Sequence, residues 1–424
     1  MNVPKLRFKD NNDNDYPQWN YSFFYDTFKF LSTNSYSRND MNTINGTIKN
    51  IHYGDILTKF NHIIDTEKDI LPYLNDNIIV KNLLNYTIQS GDIVIADTAE
   101  DYTTGKTCEI INSNNQLIVA GLHTMLCRPK QNIFTVGFLG YFMNSNIYHN
   151  QLLPLITGIK VYSIIKKEII KTQISIPCIE EQKKIANFLT TVDKKITNLE
   201  NIITSLENQK KGLLQQIFNQ KLRFKDKNGN NYPNWEKKKI TDIAITYIGL
   251  VTTMTKFYVE KGIPLIRNSD IKENKFIFNE QIFLDEKFAK NNSSRQHKLN
   301  DIITVHTGDV GTSAMIDENL VNSIGFATIV TRIKDFNKYN PKYICWYLNS
   351  PICKSKIYTM ITGDGRNNLN MKDFNKLYIP TPCFEEQTKI ADFLSAFDRK
   401  IDNQKAQLEH WQQIKKGLLQ QMFV

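Results

Sequence analysis

The stretch from Pro177 to Phe218, PCIEEQKKIANFLTTVDKKITNLENIITSLENQKKGLLQQIF, occurs twice in this chain of 424 residues. Its second copy, from Pro382 to Phe423, reads PCFEEQTKIADFLSAFDRKIDNQKAQLEHWQQIKKGLLQQMF, and 22 of the 42 aligned pairs are identical. An internal duplication constrains the architecture before any local motif is considered. The chain is therefore predicted to consist of two half-chains in tandem, 1–218 and 219–424.

Both copies have the pattern of a long helix. Each begins after a proline with Glu-Glu-Gln, which suits the positive end of a helix dipole. Apolar residues then alternate at steps of three and four, the spacing of a coiled-coil seam. The predicted seam positions are Leu189, Val192, Ile196, Leu199, Ile203, Leu206, Leu213 and Ile217 in the first copy, and Leu394, Phe397, Ile401, Gln404, Leu408, Trp411, Leu418 and Met422 in the second.

A second duplication opens each half. Lys5 to Asp10 recurs as Lys221 to Asp226, and Tyr16-Pro17-Gln18-Trp19 recurs as Tyr232-Pro233-Asn234-Trp235. The second of these openings directly follows the first long helix. If both openings dock in the same way, the N-terminal segment lies against the end of the C-terminal helix.

The two repeats divide the chain into six predicted segments. Short β-branched runs broken by Asn, Asp and Gly predict a mixed α/β fold for the two long intervening stretches. The segments are 1–19, docking on the C-terminal helix; 20–176, a first globular domain; 177–218, the central helix; 219–235, a linker repeat; 236–381, a second globular domain; and 382–424, the C-terminal helix.

Composition indicates a globular protein that works away from membranes. Hydrophobic residues make up 41% of the chain, and neither a run of 18 apolar residues nor a signal-peptide core is present. We therefore expect a cytoplasmic protein. The net charge is +10, and nine of these charges lie in 219–381. A basic excess attracts phosphates, although a solvated lysine-rich surface would give the same count.

Motifs for catalysis are missing from the sequence. Gly105-Lys106-Thr107 resembles the end of a phosphate-binding loop, but Glu100 stands at the required first glycine. The six cysteines form no Cys-x-x-Cys pair, and the seven histidines have no metal-ligand spacing. This pattern favours binding over turnover, so the chain is predicted to be neither an enzyme nor a metalloprotein.

With these features the chain resembles the specificity subunit of type I restriction–modification systems. The resemblance rests on the Glu-Glu-Gln-x-Lys-Ile-Ala-x-Phe-Leu helix starts at Glu180 and Glu385. It also rests on the Lys-Lys-Gly-Leu-Leu-Gln-Gln helix ends at Lys210 and Lys415 and on the Leu-Arg-Phe and Tyr-Pro-x-Trp openings. Three loops are similar as well: Ser35 to Arg38, Asp97 to Asp101 and His306 to Gly311.

The resemblance implies two mixed α/β target-recognition domains separated by an antiparallel coiled coil of two long helices, with pseudo-two-fold symmetry. Each domain would read one half of an asymmetric, split site in double-stranded DNA. Two methyltransferase subunits would dock on the helices and flip out the adenine that they methylate. S-adenosylmethionine, ATP and Mg would belong to the methyltransferase and to any restriction or translocase subunits, with no cofactor in this chain. Changing the helix length should then change the preferred spacer.

Candidate DNA contacts are polar residues in turn-rich segments of the two domains. Arg can pair bidentately with guanine and Asn with adenine in the major groove. The same residues also commonly solvate turns. The candidates are Arg38, Thr98, Lys106, Lys160 and Tyr162 in the first domain, and Arg295, His306, Thr307, Arg366, Asn367 and Asn368 in the second.

Candidate contacts to the methyltransferase lie at the two helix starts. We expect these residues on the surface, and they are identical in both copies, as two identical partners with equivalent docking surfaces would require. They are Glu181, Gln182 and Lys184, with Glu386, Gln387 and Lys389. The alternative role of these residues is helix capping. For the whole chain, the alternative is a duplicated coiled-coil scaffold that binds proteins and no DNA.

Overall fold

A computed structural model describes residues 4–75, 86–114, 116–361 and 367–423 of the chain. The chain divides into two compact units. Unit 1 consists of Met1–Glu200 with Ala406–Val424, and unit 2 consists of Asn201–Lys405. Each unit therefore combines one globular domain with the first part of one long helix and a segment of the other.

The globular domain of unit 1 contains two main sheets. The larger has five strands in the order Phe28–Leu31, Thr124–Pro129, Ile93–Ala96, Thr107–Ile111 and Ile63–Asp65. The smaller has four strands in the order Ile118–Ala120, Lys49–Ile51, Tyr73–Leu74 and Met41–Asn42. A two-stranded ladder joins Thr98–Ala99 to Tyr162–Ser163. The described part of this domain also contains five short α-helices: Phe24–Thr27, Tyr53–Thr58, Leu139–Phe142, Asn146–Leu152 and Lys166–Ile169.

Among the described residues, unit 2 repeats this strand order, except that its first sheet has four strands and no counterpart of Ile63–Asp65. Its first sheet runs Ala244–Ile248, Ile329–Ile333, Ile302–Thr304, Ser313–Met315, and its second runs Tyr258–Val259, Ile282–Leu284, Ile263–Ile266, Ile324–Gly325. In both units the second sheet contains one parallel pair, Ile118–Ala120 on Lys49–Ile51 and Ile324–Gly325 on Ile263–Ile266. A hairpin of Ile271–Lys272 and Lys275–Phe276 is added in unit 2. Its short helices are Ile240–Ile243, Glu286–Asn291, Pro341–Leu348, Pro351–Tyr358 and Met371–Phe374.

The two ends of each globular domain are held side by side. In unit 1, Asn20–Phe23 pairs antiparallel with Gln173–Ile176, and in unit 2, Glu236–Lys239 pairs with Tyr378–Thr381. The chain thus enters and leaves each domain through neighbouring strands. A domain connected in this way forms a self-contained insert between the opening segment and the long helix that follows.

A buried ion pair occurs at the same place in both domains. Arg128 donates from Nε and Nη2 to the carboxylate of Asp92, both at 2.7 Å. Arg332 makes the same bidentate pair with Asp301 at 2.8 and 2.6 Å. Both aspartates stand just before the central strand of their sheet and are almost fully buried. The pair therefore ties two neighbouring strands of the sheet together in each unit.

The long helices extend over Ile179–Phe218 and Phe384–Met422. Most of the predicted seam of the central helix is buried, including Leu189, Leu199 and Ile217. One predicted seam position is wrong. Leu213 was predicted in the seam but is only half-buried, whereas the adjacent Leu214 is buried. In the C-terminal helix Leu394, Ile401 and Met422 are buried, whereas the remaining predicted seam residues are half-buried, namely Phe397, Gln404, Leu408, Trp411 and Leu418.

Ion pairs fix the register of the helix segments inside each unit. In unit 2, Glu207 pairs with Lys405 and Lys210 pairs with Asp398, each at 2.6 Å. The partner number falls as the number in the central helix rises, so these segments run antiparallel. Unit 1 contains the repeat-equivalent pair, Lys415 with Asp193 at 2.6 Å. The two equivalent pairs, Lys210 with Asp398 and Lys415 with Asp193, are largely shielded from solvent.

Each helix start is locked by the opening segment of its unit. Glu181 is fully buried and accepts hydrogen bonds from Arg7 at 2.9 and 2.7 Å and from Trp19 Nε1 at 3.0 Å. These hydrogen bonds raise the pKa of Arg7. In the same unit the Leu6 amide donates to the Gln421 carbonyl at 3.0 Å.

Unit 2 repeats this lock with the corresponding residues. Glu386 is buried and accepts from Arg223 at 3.1 and 2.7 Å and from Trp235 at 2.9 Å. The Leu222 amide donates to the Gln216 carbonyl at 3.1 Å. The two openings thus dock on a helix start and a helix end in the same manner. The predicted mixed α/β fold, with an internal duplication and long helices, is confirmed, while the six exact segment boundaries stay predictions.

Glu109 is a buried carboxyl that should make unit 1 sensitive to pH. It accepts amide hydrogen bonds from Gly137 at 2.6 Å and Gly140 at 2.8 Å, and burial raises its pKa to about 7. The unfolded chain then binds fewer protons than the folded chain between pH 4.5 and 7, so stability falls as pH rises through this range. We expect a loss of about 2–3 kcal/mol between pH 5 and 8 from this group.

The Glu109 prediction is tested by denaturant unfolding of unit 1 at several pH values. Glu109→Gln should remove this group's contribution to the slope, which separates it from His62, whose pKa is lowered to about 3 by burial. His62 acts with the opposite sign, since a lowered histidine pKa makes stability rise with pH through the unfolded value. An identical pH slope in the variant and the parent would contradict the prediction.

Within the described ranges, no helix is both long and apolar enough to cross a membrane. The six cysteines are free. Among the residues that the structure describes, no group of three or more His, Cys, Asp or Glu side chains could hold a metal ion.

Candidate nucleic-acid interface

Four loops of unit 2 meet at one edge of its sheets. The Asn268 carboxamide oxygen accepts from the His306 amide at 2.9 Å, joining the loop after Ile263–Ile266 to the loop after Ile302–Thr304. The Leu369 amide donates to the His306 carbonyl at 2.9 Å, which adds the segment 367–369. The Phe326 amide donates to the Ile266 carbonyl at 2.8 Å and brings in the fourth loop.

Polar side chains form a connected group at this edge. Thr307 Oγ1 donates to Asn368 Oδ1 at 2.8 Å, and His306 Nδ1 lies 2.9 Å from Thr307 Oγ1. Partial burial lowers the pKa of His306, so its imidazole is neutral at pH 7. Among the described residues, the side-chain amide nitrogen of Asn368 has no hydrogen-bond acceptor. Asn368 is half-buried, and its amide group donates to no other described residue.

The corresponding loops of unit 1 meet in the same way. The Ile164 amide donates to the Asp97 carbonyl at 2.9 Å, as Leu369 does to His306. Ser163 pairs with Thr98, as Asn368 pairs with Thr307. The Asp97 amide donates to the His123 carbonyl at 3.1 Å.

The side chains at these loops in unit 1 are different and more aromatic. His52 contacts Tyr53 with 4.6 Å between ring centroids, and Tyr53 contacts His123 edge-on at 5.3 Å. His123 Nδ1 lies 3.3 Å from Thr98 Oγ1. Burial, followed by the charge of Arg38, lowers the pKa of His52, so its ring is neutral at pH 7.

One turn has the same backbone conformation in the two units but carries a different side chain in each. His123 and Ala327 both adopt left-handed backbone conformations, with φ of 52° and 48°, in the turn that precedes a strand of the larger sheet. Side chains other than glycine rarely occupy this region, so the shared conformation reflects the shared turn. The turn presents an imidazole in unit 1 and only a methyl group in unit 2. The two edges therefore offer different hydrogen-bonding groups from one scaffold.

The structure brings several predicted DNA contacts to these edges. In unit 2 it joins His306, Thr307 and Asn368, and the carbonyl of exposed Asn367 accepts from the Gly308 amide at 3.2 Å. In unit 1 the ladder between Thr98–Ala99 and Tyr162–Ser163 brings Thr98 and Tyr162 together. Arg38 is connected to the same edge through His52, whose Nδ1 lies 3.4 Å from its guanidinium, and is also bound to Asp55 at 2.8 Å.

Other predicted contacts stand apart from these groups. Lys106 donates to the carbonyls of Leu57 and Phe60 at 3.2 and 2.8 Å, which caps the end of a short helix, and burial lowers its pKa. Arg295 donates to the Ile248 carbonyl at 2.7 Å and lies over the Tyr247 ring. Lys160 is exposed, with no hydrogen bond or ion pair to the described residues. Arg366 lies outside the described residues. Contact of these residues with DNA stays a prediction.

Residues at the edges that the sequence did not indicate are His52, Tyr53 and His123 in unit 1 and Asn268 in unit 2. A signal for two of the loops was present, because Ile51-His52-Tyr53-Gly54-Asp55-Ile56 and Ile266-Arg267-Asn268-Ser269-Asp270-Ile271 share the pattern Ile-x-x-x-Asp-Ile. Their spacing is 215, whereas the helix repeats are 205 apart. An alignment at the helix spacing therefore passes over this match.

The expectation that the predicted methyltransferase contacts lie on the surface is wrong for four of the six. Glu181, Gln182, Glu386 and Gln387 are buried. Each glutamine side chain hydrogen-bonds to main-chain groups around its helix start. Gln182, for example, donates to the Ile133 and Pro177 carbonyls at 2.9 Å. Direct contact with a partner would require these networks to open.

Lys184 and Lys389 are half-buried and bind the opening segments. Their ammonium groups donate to the Lys9 and Lys225 carbonyls at 2.6 and 2.7 Å. They also lie over the rings of Tyr16 and Tyr232. Their burial has an internal cause in both copies, and their role in partner binding stays a prediction.

Comparison with known proteins defines the class to which this duplicated fold belongs. The family model for the type I restriction modification DNA specificity domain matches residues 3–208 and again residues 232–410. The two matches cover most of the chain and coincide with its two repeats. The protein belongs to this family of DNA specificity subunits.

Relatives from archaea and bacteria carry names of the same kind. The chain is 24% identical over 377 residues to the putative type I restriction enzyme MjaX specificity subunit of Methanocaldococcus jannaschii, covering 86% of this chain and 85% of that protein. It is 25% identical over 276 residues to the type I restriction enzyme EcoKI specificity subunit of Escherichia coli K12, covering 62% and 58%.

Solved structures show the same fold at low sequence identity. The type I restriction–modification S subunit from M. genitalium superposes with a TM-score of 0.58 at 13% identity, covering 100% of this chain and 99% of that one. A chain from a study of complex assembly and conformational transition in the type I R-M system gives 0.58 at 16% identity, covering 96% and 98%.

Proposed function

We propose that this chain recognises a bipartite, asymmetric site in double-stranded DNA and docks two methyltransferase subunits of a type I restriction–modification complex. The observation that carries the proposal is the pair of loop edges, which share one backbone arrangement and present different side chains. Two such edges on one chain suit the reading of two unlike half-sites. Membership of the DNA specificity family supports the same assignment.

The chemistry of the edges suits base reading. Asn368 offers amide donors beside a carboxamide oxygen, the combination that pairs with adenine in the major groove. Neutral His306 and Thr307 add groups that can both donate and accept hydrogen bonds. In unit 1, Thr98, His123 and Tyr162 supply hydroxyl, imidazole and phenol groups. The basic excess of 219–381 would attract phosphates without sequence preference.

In this proposal the chain supplies specificity and no catalysis. Methylation with S-adenosylmethionine belongs to the docked methyltransferases, and ATP- and Mg-dependent steps belong to restriction or translocase subunits. The long helices would hold the two domains at a fixed separation under pseudo-two-fold symmetry. We infer that the complex works in the cytoplasm, where it meets the DNA.

Mapping methylated adenines in cells with and without the gene tests this function. We expect a set of split, asymmetric sites that lose methylation when the gene is deleted and regain it on complementation. A scaffold that binds proteins and no DNA would leave the methylation map unchanged. It would also give no sequence-specific affinity for duplex DNA when the purified chain is combined with the methyltransferase.

Asn368→Ala should relax one base position in the half-site read by unit 2. Loss of a bidentate base contact removes about 1–3 kcal/mol of discrimination, or about 5- to 150-fold. The measurement is competitive binding of the complex to duplexes altered at each position. The control is Asn370→Ala, because Asn370 caps the helix Met371–Phe374 and its loss should reduce stability without changing base preference. Unaltered preference at every position in Asn368→Ala would refute the assignment.

A further inference from the structure

A hairpin of unit 1 exposes apolar side chains at its tip. Thr157 and Ser163 close the hairpin as an antiparallel pair, with hydrogen bonds of 2.9 and 2.8 Å between their main-chain amides and carbonyls. The tip loop, as we call it, consists of residues 158–161 at the end of this hairpin. Within it, Ile159 is 91% exposed and Val161 is 56% exposed. Among the described residues, no other large hydrophobic side chain is as exposed as Ile159.

The backbone of the tip loop is held in one shape. Gly158 has a φ of 129°, and a Cβ atom at this position would overlap the Val161 carbonyl oxygen. Glycine allows this close approach because it has no side chain. The strand Tyr162–Ser163, which follows the loop, pairs with Thr98–Ala99. The hairpin is thus bonded to a second segment of the domain, and little conformational freedom would be lost when the loop meets a ligand.

The tip loop lies beside the edge of unit 1 that carries Thr98. Ser163, at the base of the hairpin, is the ladder partner of Thr98. Tyr162 directly follows the loop, and its ring lies 4.7 Å from that of exposed Tyr102, measured between centroids. Lys160, within the loop, is exposed and has no hydrogen bond or ion pair to the described residues. An ammonium group and two apolar side chains therefore stand next to groups suited to base reading.

The shared scaffold does not require an apolar tip. At the spacing of 205, residues 158–161 correspond to residues 363–366, which read Gly-Asp-Gly-Arg and include no large apolar residue. A single exposed apolar side chain is ordinary on a protein surface. Two of them on a rigid tip, on either side of a lysine, resemble the apolar wedges that DNA-binding proteins insert between base pairs. A duplex bound at this edge would bury them.

We propose that Ile159 inserts between two adjacent base pairs of the half-site read by unit 1 and unstacks them. The inference rests on the proposed function, because it needs duplex DNA bound at this edge. Insertion would move the isoleucine side chain out of water, which offsets part of the cost of unstacking. Lys160 would pair with a phosphate beside the opened step, and Val161 would pack against the uncovered base.

The insertion gives unit 1 a preference for a base step without any hydrogen bond to its bases. Pyrimidine–purine steps such as TA and CA open most easily, so the step at Ile159 is expected to be one of these. Replacing it by a stiff AA step should weaken DNA binding of the parent chain, and should weaken that of Ile159→Ala less. The half-site read by unit 2 should not be opened in this way, because residues 363–366 provide no apolar wedge.

The test places 2-aminopurine, a fluorescent adenine analogue, at successive positions of both half-sites. Its fluorescence rises when it loses its stacking neighbours. The complex of the intact chain with its methyltransferase should give bright positions at the adenines that are flipped out and one further bright position at the opened step. Ile159→Ala should abolish the signal at the opened step, keep the signals of the flipped adenines, and weaken binding by about 5-fold or more.

Three further variants define the role of the tip. Ile159→Leu should keep the signal at the opened step, because leucine also provides an aliphatic wedge. Lys160→Ala should lower the slope of log affinity against log salt by about 1, the effect of one lost phosphate contact. The matched control is Ile70→Ala. Ile70 is 78% exposed and follows Ile63–Asp65, which runs antiparallel to Ile93–Ala96 and so ends away from the edge. It should behave as the parent chain, and thermal unfolding of each variant should match that of the parent.

The outcomes separate the wedge from the function on which it rests. If the parent complex has no sequence-specific affinity for duplex DNA, the proposed function fails. If it binds its site and only the flipped adenines are bright, the wedge alone is overturned. A loss of affinity in Ile159→Ala that replacing one thymine by deoxyuridine reproduces, without an opened step, would make Ile159 a contact to a thymine methyl group. Fewer bound methyltransferase copies with unchanged DNA affinity would make the tip a protein contact, and either result would refute the insertion.

Discussion

A chain that carries the second globular domain in both positions is expected to direct methylation to a palindromic site. In this chimaera, residues 236–381 replace residues 20–176, so both units present the edge formed by His306, Thr307 and Asn368. The expected site consists of two inverted copies of the half-site now read by unit 2. The parental asymmetric site should be disfavoured by about 10-fold or more for each mismatched base pair.

The exchange is feasible because each domain enters and leaves through one strand pair. Asn20–Phe23 with Gln173–Ile176, and Glu236–Lys239 with Tyr378–Thr381, bring the ends of the domains to neighbouring positions. The helix residues beneath the domains also correspond. Phe423 packs against Phe138 and Phe142 in unit 1, and Phe218 packs against Tyr343 and Tyr347 in unit 2.

The reciprocal chimaera, with residues 20–176 in both positions, provides the control. It should produce a different palindrome, built from the other half-site, so that the two half-sites together account for the parental sequence. Single-molecule sequencing of methylated DNA identifies the site methylated with the parent chain and with each of the two chimaeras. An assembled complex that still methylated the parental asymmetric site would show that base preference resides outside the exchanged domains, and would contradict the proposal.

Glu181→Ala is expected to lower the free energy of unfolding of unit 1 by about 2–4 kcal/mol. The substitution leaves the Arg7 guanidinium without its bidentate partner and leaves the buried Trp19 indole N–H without an acceptor. It also releases the opening segment from the helix start. Both effects weaken the contact between the opening segment and the helix start. The loss in free energy of unfolding should therefore exceed that of an ordinary surface substitution.

The adjacent Glu180→Ala provides a closely matched control, since Glu180 has the same side chain and lies exposed on the same helix turn. Its effect should stay within about 0.5 kcal/mol. Hydrogen exchange measures the two units separately, and protection in Glu181→Ala should fall in unit 1 and not in unit 2. Glu386→Ala should give the reverse pattern. A loss below about 1 kcal/mol for Glu181→Ala would mean that the network contributes little to stability.

The sequence predicted the long helices well because their pattern is local. A heptad of apolar residues, a preceding proline and acidic residues in the first turn each act within a few residues of chain. The misplaced seam position, Leu213 for Leu214, occurs beside the half-buried Lys210 that interrupts the heptad and pairs with Asp398. The ion pair joins two distant helix segments, so no local pattern could reveal the shift.

The candidate site was less predictable because distant segments build it. Thr98, Tyr162, Thr307 and Asn368 are predicted contacts in loops. The structure pairs Thr307 with Asn368 and brings Tyr162 beside Thr98 in the ladder of Thr98–Ala99 with Tyr162–Ser163. Lys106 was selected by the same reasoning but caps a helix, because its ammonium group reaches two main-chain carbonyls. Glu181 and Gln182 looked like surface residues of an amphipathic helix, and the docked opening segment buries them.

The sequence by itself determined the duplication, the two long helices, the mixed α/β class and the family of this protein. These follow from repeats and periodicities written along the chain. Only the tertiary structure decided which polar residues are free to meet a ligand. Burial and hydrogen bonding depend on segments that are far apart in sequence, as in the hydrogen bond from the Leu6 amide to the Gln421 carbonyl. The structure likewise separates exposed Glu180 from buried Glu181, which are neighbours in the sequence.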